Sequence, residues 1–229
     1  MAAPSACGAP AEATGGGLPE APSCPRGRGR PKLMTDVEQA QIILAAARGV
    51  YLEQGFAGTT MENVAAVSHV SKRTLYRLFS SKTALFAAMV DAHAQTMLAL
   101  PGAYDELPLV EALEAIFRLD IVSDSERERL ALLRLFMIDA RQFPELGALL
   151  RERGGDRSMA LLGGWLERQR QNGRIEIDDA AIGAKMLMDM IFGAIILKSG
   201  EAPEWPGGGD RRAYLRRCIR VFINGVRPR

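Results

Sequence analysis

Between Glu62 and Asp91 the chain carries Lys72, Arg73, Arg77 and Lys82 and no acidic residue. Cations unopposed along so short a stretch make a surface suited to a polyphosphate. Read at helical spacing, the segment Ser71-Lys72-Arg73-Thr74-Leu75-Tyr76-Arg77-Leu78-Phe79 divides into two sides. Leu75, Leu78 and Phe79 share one face for packing, which leaves Lys72, Arg73, Thr74, Tyr76 and Arg77 pointing outward. A second basic stretch, Arg26-Gly27-Arg28-Gly29-Arg30-Pro31-Lys32, lies upstream. Its glycines permit close approach to a groove floor and its proline stiffens an extended path, so Arg28 and Arg30 can enter a narrow A·T-rich minor groove. Other chemistries find no residues to carry them. There is no glycine-rich phosphate loop, no Gly-x-Ser-x-Gly elbow and no metal-ligand spacing, and the two histidines, His69 and His93, have no evident nucleophile or carboxylate partner. No enzyme, cofactor or metal is expected.

The elements that must present the basic segment can be read from spacing and caps. Helical pattern begins at Thr35, with Ile43, Ala47, Val50 and Tyr51 on one face, and Gly55 is suited to a left-handed stop. Thr59 or Thr60 caps a second, short helix carrying Met61, Val64 and Ala65 and ending near Val67; Thr59 with Glu62 has capping-box spacing. A turn at Ser68-His69-Val70 leads to Ser71, the expected cap of a third helix from Lys72 to about Phe79. Ser80-Ser81 then caps a fourth over about 82–100, closed by Pro101-Gly102. Two short helices joined by a tight turn, the second of them basic, describe a helix-turn-helix. Further helices are expected over 106–122, 125–141, 144–153, 156–172, 178–198 and 210–225, with breaks at Pro108, Pro144, Gly154-Gly155, Gly173 and Ala202–Gly209. No strand pattern persists, so the fold class is all-α, with about nine or ten helices.

The bulk numbers agree with this. The chain has 229 residues, 48% hydrophobic and 24% charged, enough for a proper core. Aromatics are only 6%, which fits helices packed through Ala, Leu, Ile and Met. The net charge of +2 is concentrated in residues 1–33, where Ala, Pro and Gly predominate and large apolar side chains are nearly absent. Such a segment is expected to be a disordered tail bearing the basic arm. Three cysteines without a framework, Cys7, Cys24 and Cys218, argue for a reducing compartment. The most apolar run, Met186–Leu197, is interrupted by Asp189 and falls short of the roughly 20 residues that a bilayer needs. With no signal-peptide core, the expectation is a cytoplasmic protein with no membrane partner.

Ile43-Leu44-Ala45-Ala46-Ala47, Gly55-Phe56, Thr59-Thr60, Val64-Ala65, Val70-Ser71, Thr74-Leu75-Tyr76, Phe79 and Ser81-Lys82-Thr83-Ala84-Leu85-Phe86 together resemble the TetR-family DNA-binding domain in order and spacing. The resemblance covers about residues 36–96. One position departs: the family usually has Gly where His69 stands, a site that favours positive φ, and His is among the non-Gly residues enriched there. The resemblance implies a sequence-specific regulator of transcription, a repressor, that binds double-stranded DNA. It places Thr60 and Ser71 at helix starts facing phosphates. It gives Tyr76 and Lys82 phosphate contacts too, and makes Lys72, Arg73, Thr74 and Arg77 candidates for base edges in the major groove. The arm around Arg28 and Arg30 resembles an AT-hook core, and similar arms precede the domain in some TetR relatives. The domain division implied is 1–33 tail, 34–98 DNA-binding domain and 99–229 regulatory and dimerisation domain.

In the second half, Phe143-Pro144-Glu145-Leu146, Gly173 and the Asp178–Gly193 helix resemble one branch of TetR regulatory domains, which bind an inducer and form the dimer. Met97, Phe117, Phe136, Met137, Trp165, Met186 and Met190 are candidates to line an adaptable apolar pocket for an unidentified small molecule. The homodimer is expected through the helices at about 178–198 and 210–225. In the first, Ile182, Met186, Asp189/Met190 and Gly193 recur at helical spacing; in the second, Leu215, Cys218, Ile219, Phe222 and Val226 form a stripe opposite Arg212, Arg216 and Arg220. Release from a palindromic operator by an apolar ligand is the mechanism this implies. The alternative is an architectural DNA-binding protein that uses the basic arm without an inducer.

Overall fold

A computed structural model describes residues 34–120, 123–196 and 211–228. The expected tail, with Arg28, Arg30, Cys7 and Cys24, lies outside the described residues. The elements are α1 Asp36–Gly58, α2 Met61–Ser68, α3 Lys72–Leu78, α4 Lys82–Met97, α5 Leu109–Ile116, α6 Ser123–Gln142, α7 Pro144–Leu149, a π-helical segment Leu150–Asp156, α8 Arg157–Gln171, α9 Ala180–Ile196 and α10 Arg211–Gly225. No strand occurs among the described residues, and the fold is all-α.

The first four helices form where local chemistry starts and stops them. Thr35 closes a full capping box on α1: its hydroxyl accepts from Glu38 N at 3.2 Å and the Glu38 carboxylate accepts from Thr35 N at 2.8 Å. Ile43, Ala47, Val50 and Tyr51 are buried, as their spacing predicts. At Gly55 the backbone takes φ 65°, ψ −175°. This is an extended conformation at positive φ, not the expected left-handed helical one, and it is essentially restricted to glycine. The cap of α2 resolves to Thr60, whose hydroxyl accepts from Asn63 N at 3.1 Å. The Thr59–Glu62 box does not form, because Thr59 is buried at the end of α1 and donates its hydroxyl to Gly55 O at 2.7 Å. His69 ends α2 at φ 54°, ψ 28°, the left-handed geometry expected of that turn. Ser71 caps α3 and Ser81 caps α4, each accepting at 3.0 Å, from Thr74 N and Ala84 N respectively.

Downstream the differences have clear causes. α5 begins only after Pro108, because residues 104–107 close a turn of their own, and it stops at Arg118, whose φ is 51°. Gly154-Gly155 does not break the chain. From Pro144 to Gln171 the path stays helical, and the glycine pair lies where it widens into the π-helical segment, with Gly154 against Val90 of α4. α8 packs on α9 at Gly163, where a Cβ would stand 3.6 Å from Ala181 Cα, an ordinary contact.

Two hydrophobic clusters result. One unites α1–α4 with Leu132 and Phe136 of α6 and Leu146 of α7. Phe136 lies 5.3 Å from Tyr51 and 5.1 Å from Phe86 between ring centroids. The other gathers α5, α8, α9 and α10 around the fully buried Phe117 and Trp165. The α10 stripe expected at a dimer interface is used here instead: Leu215, Cys218, Ile219 and Phe222 are buried in the chain's own core. Arg216 on the opposite side pairs with Glu114 at 3.1 Å. Among the described residues no helix is long and apolar enough to cross a membrane.

Candidate nucleic-acid interface

α3 turns inward through Leu75, which is wholly buried, and closes on the buried Phe79. Ser71, Lys72, Arg73, Tyr76 and Arg77 are exposed, Thr74 and Leu78 are partly buried, and Tyr76 shows 46% of its surface. The Thr74 and Ser71 hydroxyls lie 2.9 Å apart at the start of the helix. Of the outward set anticipated from helical spacing, Lys72, Arg73, Tyr76 and Arg77 are exposed, whereas Thr74 is partly buried at the helix start.

The charge environment differs from the expectation of cations without anions. Arg77 donates to both Asp36 oxygens at 2.6 and 2.8 Å and to Gln39 at 3.2 Å, while Lys72 Nζ lies 3.2 Å from Glu62. Counting charges along the chain sees only neighbours in sequence; folding sets the starts of α1 and α2 beside α3. The Arg77 hydrogen bonds hold the Asp36 carboxyl below the usual carboxylate range and raise the guanidinium in turn. Glu62 is lowered first by a backbone hydrogen bond and then by Lys72. Exposed pairs of this kind are weak and screened by salt, so they orient the cations and yield readily to phosphate. Lys82 has inward contacts: its ammonium donates to Phe56 O at 2.8 Å and stands 4.1 Å from the centre of the Phe56 ring.

Sequence reasoning missed Asp139. This α6 carboxylate is 6% exposed, and its Oδ2 accepts from the Tyr51 hydroxyl at 2.6 Å and from Phe56 N at 2.9 Å. Burial, and then the bond to Asp139, raise the Tyr51 pKa and keep its hydroxyl a donor. The signal was present, because Leu132, Phe136 and Asp139 recur on one buried stripe.

A family model described as bacterial regulatory proteins, tetR family, matches residues 43–89, the stretch containing α2 and α3. A second, described as the C-terminal domain of AefR-like transcriptional repressors, matches residues 111–225. The chain belongs to the TetR family. The DNA-binding transcriptional repressor TetR of Mycobacteroides abscessus is 43% identical over 51 residues, 22% of this chain and 27% of that one. The regulator RutR of Escherichia coli O157:H7 is 28% identical over 199 residues, covering 82% of this chain and 90% of its own. Among solved structures, the flavonoid-responsive regulator FrrA is 28% identical with a TM-score of 0.58, covering 83% of this chain and 98% of its own.

As a TetR-family protein the chain is a DNA-binding regulator of transcription, and α2–α3 is its helix-turn-helix. The second half of this TetR-family fold holds an apolar cavity of about 330 Å³ between α4, α6, the π-helical segment and α9. Met97 and Met137 line it, as do Met188, Phe192 and His93. The other candidates lie elsewhere. Phe117, Phe136 and Trp165 are wholly enclosed in the two cores, Met190 packs partly buried against the second core, and Met186 is exposed on α9. His93 Nε2 is buried without a hydrogen-bond partner. Desolvation, then Arg129 and Arg48, lower the His93 pKa to about 4, so the ring is neutral at neutral pH.

Proposed function

We propose that this regulator is a dimeric repressor that grips a palindromic operator with α3 and is released by a small apolar ligand. The observation that carries the DNA reading is the outward face of α3, where Arg73 and Tyr76 stand exposed beside the carboxylate-oriented Lys72 and Arg77. Thr60, Ser71, Tyr76 and Lys82 serve phosphates, Lys82 by leaving or sharing Phe56 O. Lys72, Arg73, Thr74 and Arg77 are the groups offered to base edges. Arg28 and Arg30 add a minor-groove contact from the arm.

The dimer forms through α9 together with α8. Ile182 and Met186 of α9 are exposed, and with Met159, Gly163 and Gly164 of α8 they line an open apolar groove. α10 supports that face from behind rather than entering it. The ligand occupies the methionine-lined cavity, and FrrA, a flavonoid-responsive relative, favours a flat aromatic molecule. The site of action is the cytoplasm, where operator DNA lies.

Selection of bound genomic fragments by the full chain tests the reading. One enriched palindrome, competed poorly by random DNA, is the expected result, and the neighbouring genes point to the ligand. Uniform binding to all fragments would favour the architectural alternative.

A further inference from the structure

The Gly55–Phe56 turn is gripped from two sides. Asp139 of α6 takes the Phe56 N–H at 2.9 Å, and Lys82 at the start of α4 takes the Phe56 carbonyl at 2.8 Å. Between them Gly55 holds a backbone conformation closed to other residues, with the Thr59 hydroxyl on its carbonyl. This turn sets how α1 hands over to α2, and through α2 how α3 is aimed. Asp139 is remote from α3 in sequence, but its helix is not an idle support. Leu133, Met137 and Ala140 of the same α6 form part of the cavity wall. Phe136, between the two faces, meets His93 of the cavity wall at 5.5 Å and Tyr51 at 5.3 Å between ring centroids.

We propose that Asp139 is the positioning residue that couples the cavity to the helix-turn-helix, by tying a cavity wall to the peptide that sets the angle between α1 and α2. This rests on the ligand-release reading above and names the part through which it acts. An occupant that displaces α6 draws the carboxylate away from Phe56 N and Tyr51, and the turn relaxes to a posture in which α3 no longer fits the groove. A packed helix moves as a body, so a small displacement at Met137 reaches Asp139 undiminished.

The test uses the full chain, a selected palindromic site and an occupant built into the protein. Met188→Trp enlarges an α9 side chain on the cavity wall. Operator affinity is measured for this substitution in the natural chain and in Asp139→Ala and Asp139→Asn backgrounds. In the natural chain the expected loss is about tenfold, the middle of the usual coupling range. In Asp139→Ala the same substitution changes affinity by less than about twofold, because the link is already broken. Asp139→Asn, whose amide oxygen can accept the same two hydrogen bonds, behaves as the natural chain does. An equal loss in all three backgrounds overturns the role of Asp139 and leaves ligand release standing. No loss even in the natural chain removes the coupling and Asp139's role with it. Should Asp139→Ala fail to fold, exchange of the Phe56 amide decides: Met188→Trp should speed it by about tenfold or more, and unchanged exchange overturns the proposal.

Discussion

Tyr76 is the residue on which the phosphate reading of α3 can be isolated. It carries no charge, stands partly exposed and contributes nothing to the buried face, so its loss should leave the fold intact. Tyr76→Ala is expected to weaken binding to specific and random DNA alike; a changed base preference in selection would show that it reads sequence instead. His93 makes a pH prediction. Its pKa in the folded chain is about 4 against 6.5 for a free histidine. The unfolded chain therefore takes the proton first as pH falls, and stability declines from pH 6.5 toward pH 4, by up to roughly 3 kcal/mol. Urea unfolding of the natural chain and His93→Phe at both ends of this window tests it. The variant should lose less stability on acidification, and parallel losses would show that His93 is not the group responsible. Gly55→Ala should cost about 1–3 kcal/mol through backbone strain alone, since the space beside Gly55 holds only the Asp139 carboxylate at ordinary contact distance. A neutral substitution would mean that the turn has another conformation available.

At the scale of elements, the helix-turn-helix was largely legible in the sequence because its signals are local. Ser71 and Ser81 act as caps, His69 adopts positive φ, and Leu75 and Phe79 turn inward, each for reasons confined to a few neighbours. What was not legible depends on residues distant in sequence. Asp36 and Glu62 reach α3 only after folding, Asp139 meets Tyr51 and Phe56 from α6, and the glycine pair at 154–155 widens a helix instead of ending it. The α10 stripe was apolar and periodic as read, but periodicity does not say whether such a face meets its own core or another chain. The acidic neighbours of α3 carry a prediction of their own. Asp36→Asn with Glu62→Gln should raise affinity for random DNA several-fold by removing repulsion, and lower the ratio of specific to random binding by freeing Arg77 and Lys72 from their fixed orientation. Gel shifts on both kinds of DNA measure the two quantities. A higher ratio would show that the acids hinder recognition rather than direct it.

At the scale of the molecule, a palindromic operator needs two copies of α3 at one spacing, so the α8–α9 groove, if it is the dimer face proposed above, bears on operator binding without touching DNA. Ile182→Glu with Met186→Glu replaces two exposed apolar side chains on α9. Sedimentation should show monomers, with operator affinity falling about a hundredfold or more while circular dichroism is unchanged; a dimer that survives both charges would place the interface elsewhere. The arm gives a second measurement at this scale. Arg28→Ala with Arg30→Ala should flatten the dependence of log affinity on log salt by about two phosphate contacts per chain, and an unchanged slope would mean that the arm does not bind. The first hydrophobic cluster also limits how such a protein can be rebuilt. Because Phe136, Leu132 and Leu146 complete the packing of α1–α4, residues 34–98 are not a transplantable cassette. A chimera joined at residue 98 would set Tyr51 and Phe86 against a foreign helix and leave the Tyr51 hydroxyl without its acceptor. Any exchange of reading heads between relatives has to carry the matching stretch of α6 and α7 along with them.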